Sequence, residues 1–125
     1  MNEELYYVIS LKHTRRNDLY ITAWASADQG YRWALSLAGR YSRTRILAHP
    51  GYYNSGCSNI AVPCFVLNAI AVAPIPRHHD GDTGPCVPNT RASWDQILVN
   101  IIQPPGSQPN PEFKGARRRK ESAQW

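Results

Sequence analysis

The stretch Leu5-Tyr6-Tyr7-Val8-Ile9-Ser10-Leu11-Lys12 decides the fold class. It is dense in aromatic and β-branched residues. A period of two places Tyr7, Ile9 and Leu11 on one face and Tyr6, Val8 and Ser10 on the other, which predicts a strand. Moving outward, residues 13–18 have turn chemistry, and residues 19–24 resume an alternation suited to an antiparallel partner joined through a hairpin. Asp28-Gln29-Gly30 makes the next turn, after which Tyr31, Trp33, Leu35 and Leu37 share one side of a third strand and complete a meander. Gly39 ends or bends that strand. Over residues 40–47 the spacing fits an edge strand and a short helix equally.

Residues 49–59 read as loop, and Pro63 suits the first turn of a short buried helix running to Ala71, where its missing N–H costs nothing. Residues 73–88 hold four prolines and two glycines and read as a long irregular loop. Asn89 or Thr90 can cap a last helix whose apolar positions Trp94, Ile97, Leu98, Ile101 and Ile102 keep helical spacing, so one face should pack on the sheet. Pro104-Pro105-Gly106 stops it, and beyond that point the apolar content is too low to offset ordering entropy. The expectation is an α+β fold with a small antiparallel meander, a short central helix and one amphipathic C-terminal helix on the sheet. A single domain should cover residues 1–103, and a Pro-rich linker with a basic disordered tail residues 104–125.

The 125 residues suit one domain, because a core smaller than about 50 residues seldom stands without metals or disulfides. No stretch approaches the roughly 18 apolar residues needed to cross a bilayer. The best, residues 60–75, is broken by Pro63, Asn68 and Pro74. Met1-Asn2-Glu3-Glu4 lacks the basic patch and apolar core of a secretory leader, and an odd set of cysteines, Cys57, Cys64 and Cys86, argues for reduced thiols. A cytoplasmic setting with no membrane partner is expected. The formal charge is +5, of which residues 112–125 carry +3 and residues 1–111 only +2, so the basicity belongs to the tail.

His78, His79, Asp80 and Asp82 have the side chains of a metal-dependent hydrolase, yet the run Asp-Gly-Asp-Thr-Gly reads first as a solvated turn. Cys57, Cys64, Cys86 and His49 lack the two-to-four-residue ligand spacing typical of structural zinc. No phosphate loop, serine elbow or paired-carboxylate motif is present, so neither a catalytic residue nor a cofactor is expected. In the tail, Lys114, Arg117, Arg118, Arg119 and Lys120 could screen phosphates without reading sequence. Arg40, Tyr41, Arg43, Arg45, Tyr52 and Tyr53 combine arginines with aromatics in the manner of a protein-binding surface, the Tyr52-Tyr53 pair above all.

The segments Tyr7-Val8-Ile9-Ser10-Leu11-Lys12-His13-Thr14, residues 30–41, Tyr52-Tyr53-Asn54-Ser55-Gly56 and Ile60-Ala61-Val62-Pro63-Cys64 resemble small uncharacterised proteins encoded by bacteriophages and prophages. The resemblance spans most of residues 5–102 and brings no functional residue with it. It implies a non-enzymatic accessory protein in the cytoplasm of a bacterial host, binding and inhibiting a host protein or ribonucleoprotein complex, with a CRISPR effector as the specific instance. The alternative is direct nucleic-acid binding through the tail and Arg40, Arg43 and Arg45. The hydrolase centred on His78, His79, Asp80 and Asp82 is the third reading.

Overall fold

A computed structural model describes residues 4–75 and 84–116. Strand β1 (Leu5–Ser10) lies at the centre of a small antiparallel sheet. Along one edge it meets β2 (Ala23–Trp24), which in turn pairs with β3 (Tyr31–Arg32), so the expected meander is present with shorter strands. On the same edge, nearer its start, β1 pairs with β4 (Tyr41–Ser42), with Tyr6 opposite Tyr41. The chain then turns directly into α1 (Arg43–Ala48), whose first turn is capped by the Ser42 hydroxyl accepting the Arg45 N–H at 3.1 Å. Both readings of residues 40–47 are therefore partly right.

The stretch expected to be loop contains a one-turn helix, α2 (Pro50–Tyr53), and the start of β5 (Asn59–Pro63), which takes the whole second edge of β1 from Tyr6 to Ser10. All five β5 residues are buried. Its outer edge is satisfied by unlike partners: Asn54 Oδ1 accepts the Ala61 N–H, and the Ile102 N–H donates to the Ala61 carbonyl. Pro63 ends the strand and precedes α3 (Cys64–Ile70), a position where a missing donor leaves nothing unpaired. Residues 84–88 are not irregular but form a backbone strap, with Ile21 N–H on the Val87 carbonyl, Leu35 N–H on Pro85, and Val72 and Cys86 exchanging two bonds of 2.8 Å.

Helix α4 (Arg91–Leu98) is capped by Thr90, as its sequence suggests. It stops at Leu98 rather than continuing through Ile102, and its last two apolar positions part company. Ile101 packs with the α3/α4 layer, and Ile102 crosses to the other side of the sheet. The sheet thus separates two cores. Tyr7, Ile9, Ile60 and Val62 face Leu67, Trp94 and Ile97 beneath α3 and α4, while Tyr6, Val8 and Ala61 face Ile46, Tyr53 and Trp24 beneath α1 and α2.

The domain does not end at residue 103. Phe113 is 6% exposed and belongs to the α3/α4 core, with the Arg91 guanidinium 5.2 Å over its ring. Asn89 donates to the Glu112 carbonyl, Arg16 to that of Ala116 and Arg91 to that of Gly115. Upstream, Ser107 N–H bonds the Ser55 carbonyl, and Gly56 (φ +88°) lies so close to Ser107 that a Cβ there would sit 1.8 Å from its carbonyl oxygen. A proline-rich segment has little backbone freedom to lose, so one aromatic anchor and a few hydrogen bonds suffice to order it. Residues 117–125, with Arg117, Arg118, Arg119 and Lys120, lie outside the described residues, as does the run from His78 to Asp82. Among the described residues no helix is long and apolar enough to cross a membrane.

Candidate binding cleft

The six residues expected to form a contact surface do not form one. Arg40 stands over the Tyr7 ring at 5.7 Å on the α3/α4 side of the sheet. Arg43 and Arg45 lie on the α1/α2 side, where Arg43 donates to the Tyr6 hydroxyl at 2.8 Å and Arg45 Nε to the Tyr53 hydroxyl at 2.7 Å. The three arginines therefore make no common patch, for protein or for phosphate. Tyr41 and Tyr53, each 3% exposed, are core residues. The Tyr41 hydroxyl donates to the Ala25 carbonyl and accepts the Asp28 N–H, and burial pushes its phenol up to about 12. With Arg45, which pairs with Asp28 at 3.2 Å, it holds the turn in which Ala27 and Asp28 take left-handed φ of 58° and 59°. Of the set, Tyr52 is the large aromatic left in solvent, at 53% exposure. Lys114 is exposed beside Asp18 and Arg91.

Tyr52 faces the end of β1 and the loop that follows it. At the end of β1 the buried Ser10 hydroxyl accepts the His13 backbone N–H and lies 3.1 Å from His13 Nδ1. Thr14, 2% exposed, donates its hydroxyl to the Ser10 carbonyl at 2.7 Å and accepts the Thr22 N–H at 3.0 Å. The Thr22 hydroxyl donates to the His13 carbonyl. Asn89, 6% exposed, donates to the Arg15 and Asp18 carbonyls, and its Oδ1 accepts the Trp94 indole N–H. Four buried polar side chains thus fix one exposed loop, residues 13–18.

The facing segment is fixed in the same manner. Asn59 donates to the Tyr52 carbonyl at 2.6 Å, Asn54 to that of Gln103, and the Ser55 hydroxyl accepts the N–H groups of Ser58 and Asn59. The Tyr52 ring is propped edge-on by Trp24 at 5.2 Å and Tyr53 at 4.9 Å.

Between the two segments lies a cleft of about 370 Å³ with Lys12, His13, Tyr31, Tyr52 and Cys57 in its walls. His13 stacks on Tyr31 at 3.9 Å with 25° between the ring planes. The same pair lines a second hollow of about 360 Å³ beside Arg15, Asp18, Arg32 and Trp33. The stacked rings form a ridge with a concavity on either side. The walls carry Lys12, Arg15 and Arg32 against Asp18, whose Oδ2 already accepts the Arg15 N–H at 2.8 Å. Hydrogen bonds from the Ser55 and Ser58 side chains lower the Cys57 thiol below its ordinary value, whereas burial pushes Cys64 up to about 11. Among the described residues no three His, Cys, Asp or Glu side chains group so as to hold a metal ion. Compared with known protein families, curated proteins and solved structures, the chain matches none.

Proposed function

We propose that the protein is a non-enzymatic binding protein that presents this cleft, already formed, to a macromolecular partner. The observation that carries the reading is the convergence of buried polar side chains on two exposed segments. Ser10, Thr14, Thr22 and Asn89 serve the 13–18 loop, and Asn54 and Asn59 serve the Tyr52 segment. Buried polar groups contribute less to stability than apolar ones of the same shape, so their concentration behind exposed aromatics favours presentation over packing. A surface held in its bound shape loses little entropy when a partner arrives.

The resemblance to phage and prophage proteins supplies the class of partner: a host macromolecular machine that the protein inhibits, with a ribonucleoprotein of the CRISPR effector kind as the specific instance. The test titrates full-length protein into a purified effector complex and reads target cleavage, with Tyr31→Ala/Tyr52→Ala beside the wild type. Inhibition by the wild type and its loss in the double variant, with that variant still folded at the assay temperature, is the expected result. Equal inhibition by both would remove the cleft from the function, and no inhibition by either would remove this partner.

A further inference from the structure

We infer that the ridge and its two hollows take single-stranded nucleic acid, bases stacking on the aromatic rings and phosphates meeting the flanking cations. The inference rests on the binding reading above and names the chemistry that the cleft recognises. Stacking requires rings that are exposed and held still. Tyr31 is 49% exposed and fixed against His13, and Tyr52 is 53% exposed and braced by Trp24 and Tyr53. Phosphate requires positive charge along the same path. Lys12 lines the cleft with Tyr52, and Arg15 lines the hollow across the ridge. Asp18, the carboxylate in these walls among the described residues, is turned to its own loop by the Arg15 N–H.

Charge complementarity therefore selects an anionic strand. Alternation of cations with exposed rings selects one whose bases are free, since a duplex keeps its bases paired and its ring faces stacked internally. Both hollows are concave spaces near the lower size limit of ligand pockets, suited to one unit of a strand rather than to a helix. The contacts are to ring faces and phosphates, so the site should tolerate most sequences.

The test is fluorescence anisotropy of labelled random-sequence strands of about ten nucleotides, the span of one small single-strand site, in DNA and RNA form and as duplex. Full-length protein is used at low and at physiological salt. Single strands should bind more tightly than duplex, and Tyr31→Ala and Tyr52→Ala should each weaken binding roughly tenfold. Tyr31→Phe and Tyr52→Phe, which keep the ring faces, should bind like wild type. Lys12→Ala or Arg15→Ala should flatten the salt dependence. Deletion after Ala116 should leave most single-strand binding intact.

Failure to bind single strands at low salt overturns the inference. So does binding that survives Tyr31→Ala/Tyr52→Ala but vanishes with residues 117–125. If strands fail to bind while the same double variant still loses inhibition of the effector, this inference falls and the binding reading stands. If the double variant matters in neither assay, both fall.

Discussion

The layer between the sheet and helices α3 and α4 and the rim that carries His13 and Tyr52 use buried atoms in opposite ways. Under the helices the buried side chains are almost all apolar, with Ile9, Ile60, Val62, Leu67, Trp94 and Ile97 each at most 1% exposed. At the rim the buried side chains are Ser10, Thr14, Thr22, Asn54 and Asn59, and their hydrogen bonds of 2.6–3.1 Å tie strand backbone at Ser10 and Ala61 to the loop backbone at His13 and Tyr52. The first arrangement holds the domain together. The second fixes the shape of a surface, and the two can be separated by substitution.

The largest effect should come from the apolar layer. Trp94→Ala removes a fully buried ring and should cost about 3–5 kcal/mol in denaturant unfolding; a loss below about 1 kcal/mol would place the core elsewhere. Phe113→Ala should be destabilising by about 3 kcal/mol, and truncation after Gln103 at least as much, because the segment supplies both that ring and carbonyl acceptors for Asn89, Arg16 and Arg91. Stability unchanged by the truncation would mean that residues 104–116 are a tail after all.

An intermediate effect belongs to the residue that joins the two regions. Asn89→Ala leaves the Trp94 indole N–H without its acceptor and frees the 13–18 loop, for a cost of about 1–3 kcal/mol. It should also weaken binding at the cleft, which Trp94→Phe should not do. Tyr52→Ala, half exposed but packed edge-on against Trp24 and Tyr53, should cost about 1 kcal/mol, the scale of an aromatic pair, while abolishing much of the binding. A loss of stability from Tyr52→Ala exceeding that from Asn89→Ala would erase the distinction between presentation and packing.

The smallest effect is kinetic and depends on pH. The thiolate is the reactive form, so the lowered Cys57 should alkylate first near neutral pH. Cys64, at about 11, holds few thiolates there and gains reactivity as pH climbs toward that value. Mass spectrometry after brief iodoacetamide treatment reads the order, and Cys64 ahead of Cys57 would contradict the assigned environments.

These differences also explain what could be read in advance. The alternation in β1 assigned Tyr7 and Ile9 to one face and Tyr6 and Val8 to the other, and the two cores divide along that line. Thr90 and the spacing of Trp94 and Ile97 announced α4. Those signals are local. Strand β5 was hidden because five residues ending in proline, after a loop rich in Gly, Asn and Ser, carry too short a period to register. The cleft was hidden for a deeper reason. Its 13–18 loop depends on Asn89, whose partners Arg15 and Asp18 lie 74 and 71 positions away, and its ridge on a ring stacked across from His13 to Tyr31. Tyr52 is exposed, whereas Tyr41, on a strand that pairs with β1, and Tyr53, on the inner face of α2, are core residues, a division that the aromatic and arginine content of the segment does not reveal.

Native-state hydrogen exchange tests the preformed cleft most directly. The amides of His13, Thr22, Ser58 and Asn59, bonded to the hydroxyls of Ser10, Thr14 and Ser55, should exchange slowly, approaching the β1 amides, and Thr14→Val should speed exchange at Thr22 while leaving Ser58 and Asn59 protected. Exchange of all four amides at the rate of an unstructured peptide, in a chain whose β1 amides remain protected, would contradict a cleft held in shape by its buried polar side chains.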